Sequence, residues 1–200
     1  MLTRTGTGAI LPAFRHASGR ATENATDDRE TGITMKTLDD LYLDQLKDLY
    51  AACKQTMPLV TEMGRATTSL PLSEALIAAN QSVAQGMEVL ARICTDHDAD
   101  PTDRTCKGLE ALICEARQQA VGSDFPDEVQ DAMIVAQYRR LCHYTIAGYD
   151  SLCGLATRLG HVGDGAALQE CLDRLREGDG QMIRLVCGSP ALAVIEGGAR

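Results

Sequence analysis

Apolar residues in this chain recur at steps of three and four over four long stretches, and nowhere do they alternate with period two. Tyr42, Leu46, Leu49, Cys53, Met57, Val60 and Met63 trace one face of a helix that ends near residue 66, because side chains three and four apart stand on one side of a 3.6-residue turn. Leu72, Leu76, Ala79, Val83, Gly86, Leu90 and Ile93 trace a second, from about 72 to 96. Ile134, Tyr138, Leu141, Thr145, Tyr149, Leu152 and Ala156 trace a third, ending near Gly160. Leu168, Cys171, Leu172, Leu175, Met182 and Val186 define a fourth, and the shorter run Leu109, Leu112, Ile113 and Ala116 lies between the second and third. Each stripe needs a partner to cover it. The expected fold is all-α: an antiparallel four-helix bundle with one additional short helix between helices 2 and 3. Five Tyr, two Phe and no Trp leave few of the residues that favour sheets.

Local signals set the boundaries. Thr37 is placed to cap the first helix, with Asp39 and Asp40 in its favourable first turn. Pro58 removes one internal hydrogen bond, which predicts a kink. Residues 96–105 (DHDADPTDRT) form a solvated turn; they lack the glycine and closing Glu of an EF-hand. Asp127 is positioned to cap the third long helix, and Gly178 and Gly180 weaken the fourth by about 1 kcal/mol each relative to Ala. Residues 1–34, rich in Gly, Thr, Ser and Asp, read as a disordered extension, with Met35 an alternative start. The bundle domain spans 35–187, and 188–200 read as a flexible tail.

Nineteen basic against 28 acidic residues give a net charge of −9, which argues against sequence-independent nucleic-acid binding, since that requires a basic face. No apolar run has the length of a membrane span. The first 20 residues carry three arginines and no acid but no apolar leader core, so the expectation is a cytoplasmic protein. Eight cysteines show no CxxC or zinc-ribbon spacing and read as reduced, mostly buried thiols. Met57, Met63 and Met182 read as core filler.

Three blocks bring a family into view: MKTLDDLYLDQLKDLYAACKQ (35–55), RTCKGLEALICEA (104–116) and HYTIAGYDSL (143–152). In content, order and spacing they resemble the YciE/YciF family of ferritin-like bacterial stress proteins, over roughly residues 35–187. The resemblance implies a ferritin-like bundle, a homodimer formed through helix faces, and a rubrerythrin-type di-iron site. Two irons need several anionic oxygens converging from facing helices. By the resemblance, a Glu on helix 1 corresponds to Cys53. A Glu on helix 2 and the Gln or His four residues later correspond to Ser82 and Gly86. The two Glu of the third long helix fall on Cys142 and Thr145. The fourth, usually DEEK, reads Asp173, Arg174, Leu175 and Arg176, with only Asp179 keeping an acid on the inward line.

Cys53, Ser82, Gly86, Cys142, Thr145, Leu175 and Asp179 are thus vestiges of a di-iron site, and neither iron nor another cofactor is expected. Removing buried carboxylates removes a cost of about several kcal/mol, so the centre can close without metal. Ala75, Ala79, Ser82 and Gly86 form a small-residue strip that admits close helix approach. The functional expectation is a non-catalytic, stress-associated bundle. Two alternatives stand beside it: Cu or Zn held by the Cys53 and Cys142 thiolates with Met57 and Met87 as thioethers, and residual metal-dependent oxygen or peroxide chemistry. Asp179 is expected to face water through a frayed turn rather than pair with Arg174 or Arg184. His143 lies off the stripe and reads as a surface residue, His97 sits at a helix end, and His16 and His161 lie in loops. No catalytic residue is nominated.

Overall fold

A computed structural model describes residues 35–187; the extension 1–34 and the tail 188–200 fall outside the described residues, as do the side chains of Val186 and Cys187. Five helices follow one another: α1 (Leu38–Ala66), α2 (Leu70–Asp96), α3 (Lys107–Ala120), α4 (Asp127–Leu159) and α5 (Val162–Cys187). No strand occurs among the described residues.

The ends of these helices are set by chemistry in the chain. At α1 the Thr37 hydroxyl accepts from the Asp40 N–H at 3.0 Å and the Asp40 carboxylate accepts from the Thr37 N–H at 3.0 Å, a reciprocal capping box. Ser69 caps α2 by accepting from the Leu72 N–H, and Pro71 occupies the first turn, where its missing N–H has no partner to lose. α1 continues through Pro58, whose side chain is exposed. Gly160 ends α4 at φ 78°, a left-handed cap that favours glycine. The expected capping role of Asp127 is corrected: Pro126 holds the cap position with extended backbone and no side-chain bond, and Asp127 is the first helical residue. The charge still faces the positive end of the helix dipole.

Four long helices close a ring, α1 against α2 and α4, and α5 against α2 and α4. The turns between α1 and α2 and between α4 and α5 are too short for anything but antiparallel neighbours. α3 packs on α1 and α4 and carries the chain back along the bundle, so α4 can start at the end where α2 began. Hence α1 and α5 start at the end where α2 and α4 finish. Tyr42, Leu46, Leu90, Ile93, Leu152 and Leu168 fill this half of the interior and are fully buried. Burying one such Leu contributes about 1.5–3 kcal/mol. Leu59, Met63, Leu76, Leu109, Ile134 and Leu141 fill the other half, under α3. Gly148 allows the close approach of α4 to α1, since a Cβ there would stand 2.8 Å from a methyl of Leu49. The loop before α3 is tied to α1 by two ion pairs, Lys47 with Asp103 at 2.7 Å and Arg104 with the buried Asp44.

Candidate functional site

The centre of the ring is where facing helices would present ligands to a metal pair. Cys53 from α1, Ser82 and Gly86 from α2, Thr145 from α4 and Leu175 from α5 meet there around one narrow gap with Tyr149 and Cys171, and the gap does not admit a water molecule. Cys142 lines a second space with Cys53, Thr145 and Leu175, of about 10 Å³, at the edge of the roughly 10–15 Å³ that one water needs. Six of the seven positions that the sequence assigned to this centre are therefore brought together. Asp179 is not among them, and no carboxylate lines either space.

Tyr149 decides what the centre can accept. It is 1% exposed, and its hydroxyl lies 2.5 Å from the point where a Cβ on residue 86 would stand. Real Cβ contacts are not that short, so the phenol occupies the volume that any side chain at position 86 would need. Burial, reinforced by neighbouring thiols, pushes this phenol far above its ordinary range and keeps it neutral. Thr145 spends its hydroxyl on the Leu141 carbonyl of its own helix at 3.1 Å. The remaining donors are thiols held in the protonated form: burial pushes Cys53 up to about 12 and Cys142 up to about 11. Thiols that act as ligands or nucleophiles sit in electropositive surroundings that lower their pKa, whereas these behave as small apolar residues. A donor set of neutral thiols, two hydroxyls, one of them spent on its own helix, and a phenol, with no carboxylate, does not fit a di-iron carboxylate centre. Met57 and Met87 line neither space.

Asp179 requires a correction. It neither faces water through a frayed turn nor pairs with Arg174 or Arg184. α5 is continuous across Gly178 and Gly180, and the Asp179 side chain is 13% exposed. Arg139 on α4 donates to its two oxygens from Nε at 2.7 Å and Nη2 at 3.0 Å, and Nε2 of His143 lies 3.0 Å away. This two-pronged contact pins the turn that the two glycines weaken. His143 is exposed, as expected. The Arg139 guanidinium, aided by His143, holds the Asp179 carboxyl below its usual range. A carboxyl whose pKa is lowered by folding stabilises above its unfolded value, and the contribution is lost as pH falls through the lowered one. Asp179→Asn is accordingly expected to cost about 1–2 kcal/mol at neutral pH. In urea titrations the gap between variant and wild type should narrow as pH falls below the ordinary carboxylate range; a gap independent of pH would contradict this.

Set beside known proteins, residues 37–190 match the family described as Domain of unknown function (DUF892). Protein YciF of Escherichia coli (strain K12) is 30% identical over 148 residues, 74% of this chain and 89% of that protein. The crystal structure of the E. coli stress protein YciF superposes with a TM-score of 0.73 at 29% identity, covering 76% of this chain and 96% of that one. YcfI of Rhodopseudomonas palustris, for which a structural role is proposed, superposes with a TM-score of 0.71 at 28% identity over 77% and 96%.

Proposed function

The chain belongs to the DUF892 family, the YciE/YciF proteins, and on that premise we propose that it is a non-catalytic, stress-associated helical bundle whose di-iron ligands are lost. The observation that carries this reading is the bundle centre. Six of the seven positions that the resemblance assigns to ligands line the centre without a carboxylate, and the Tyr149 hydroxyl fills the volume opposite Gly86. A di-iron centre of the carboxylate type needs anionic oxygens from facing helices. The structural role proposed for the Rhodopseudomonas relative and the stress association of the E. coli one agree with it. A cytoplasmic location and a homodimer through helix faces belong to the same reading. Among the described residues no helix is long and apolar enough to cross a membrane.

A soft-metal centre at Cys53 and Cys142 has one observation in its favour, that both thiols line the same small space. Against it stand their burial, the upward push on both pKa values, and the absence of Met57 and Met87 from that space. Core thiols are the better reading.

Elemental analysis of protein purified anaerobically under reducing conditions tests the proposal. The expected result is no stoichiometric iron and no copper, in particles that light scattering sizes as two chains. Two irons per chain would overturn the non-catalytic reading and restore oxygen chemistry, and a monomer across a concentration series would overturn the dimer.

A further inference from the structure

The antiparallel order of the ring gathers four helix termini at one end of the bundle, the ends of α2 and α4 and the starts of α1 and α5. His97 is the residue that caps the C-terminus of α2. His161 lies in the turn between α4 and α5, its N–H donating to the Ala156 carbonyl at 2.9 Å and its carbonyl accepting from the Gly165 N–H at 2.9 Å. Asp164 lies in the first turn of α5. One ligand atom from each of the three lies within 4.8 Å of the other two. His97 Nε2 stands 2.8 Å from Oδ2 of Asp164, and the two imidazole rings meet edge-on with centroids 4.8 Å apart. The buried Tyr42 donates its hydroxyl to the same Asp164 oxygen at 3.2 Å.

One buried side-chain atom in this cluster is without a hydrogen bond. Nε2 of His161 is buried, and its nearest acidic oxygen, Oδ1 of Asp39, is 3.6 Å away, outside hydrogen-bond range. A buried polar atom left unpaired costs about 1–3 kcal/mol, so the arrangement calls for a further group. The His97, His161 and Asp164 side chains are 16–26% exposed, which leaves a route in from solvent.

We propose that His97, His161 and Asp164 bind a divalent first-row transition ion of the zinc class. Two imidazoles and a carboxylate are the donors that such ions take in three-ligand sites, with a fourth position left to water. Metal–ligand bonds of about 2.0–2.2 Å place donor atoms about 3.4 Å apart around a tetrahedral ion. The three ligand atoms therefore need shifts of less than about 1 Å to close on one. The Tyr42 hydroxyl, donating to Oδ2, holds the Asp164 carboxylate in place, as hydrogen-bonded outer groups do at metal sites. The cluster shares no residue with the bundle centre, so it stands or falls independently of the non-catalytic reading.

The test uses the full chain, stripped with chelator, kept reduced, and titrated with zinc by calorimetry and with cobalt(II) by absorption. One ion per chain is expected, with visible cobalt bands and no thiolate charge-transfer band. His97→Ala and His161→Ala should each weaken zinc binding at least about tenfold. His161→Gln keeps the volume and serves if the alanine variant does not fold. Absence of zinc binding, a thiolate band, or unchanged affinity in the histidine variants would overturn the site and leave the cluster a hydrogen-bonded clasp.

Discussion

Gly86→Ala should lower the folding stability by about 1–3 kcal/mol, seen as a fall of the urea midpoint and of about 2–4 °C in Tm per kcal/mol for a chain of this size. The sign is the informative part. Gly86 lies inside α2, where replacing glycine with alanine would by itself stabilise by about 1 kcal/mol. Destabilisation therefore requires a clash larger than that gain. The clash is with one atom: the Tyr149 hydroxyl, 2.5 Å from the new Cβ, while the next ring atom, Cζ, is at an ordinary 3.6 Å. Removing that oxygen should reverse the effect. In a Tyr149→Phe background, Gly86→Ala should be neutral or stabilising, so the double-mutant cycle isolates the contact. Gly86→Gln, the type of side chain that the resemblance to the family implies for this position, should cost more than the alanine. Gly86→Ala stabilising in the wild-type background would show that Tyr149 yields, and that the centre is open to a ligand after all.

What could be read from the chain and what could not divide along a physical line. A stripe such as Tyr42, Leu46, Leu49 and Cys53 is a property of one helix, and the structure buries all four. Caps act over three or four residues, and Thr37 and Gly160 sit where the sequence places them. Motifs flanking Cys53 and Thr145 fixed their register, and both reach the centre. Contacts between helices depend on the rotation and stagger of one against another, which no single stripe encodes. Asp179 was misread for that reason: its partner Arg139 is 40 residues away on α4. Tyr149 carried a legible signal as an aromatic one turn from Thr145, with a glycine at the facing ligand position, but its reach across the gap depends on helix spacing. The histidine cluster follows from topology alone. Residues at the end of α2, the end of α4 and the starts of α1 and α5 must share one end of an antiparallel ring. Taken singly, His97 and His161 looked like a helix end and a loop.

Cys53→Glu, which puts a carboxylate where the resemblance to the family implies one, should cost about 3–5 kcal/mol at neutral pH, the penalty for an unpaired buried charge. Cys53 is 1% exposed, and the titratable groups that bear on its thiol are three other cysteines with no cation among them; Arg174 reaches the gap only at Sγ of Cys171, to which it donates at 3.2 Å. Some of the cost is steric, because a glutamate is larger than a cysteine. Cys53→Gln carries the same bulk without the charge, and the difference between the two variants measures the electrostatic part. That difference has a defined pH dependence. Burial raises the carboxyl's folded pKa above its unfolded value, so the native state binds the extra proton and gains relative stability as pH falls. The glutamate variant should approach the glutamine variant on acidification and diverge from it as pH rises through the folded pKa. Ferrous iron separates the two views of the centre. An ion that binds only the folded state stabilises it in proportion to the logarithm of its saturation. One added carboxylate among thiols and a phenol is too few donors, so iron should stabilise Cys53→Glu no more than it stabilises wild type. A saturable gain specific to the glutamate variant would mean that the other ligands of a metal pair are still within reach, and the loss of the di-iron site would have to be abandoned.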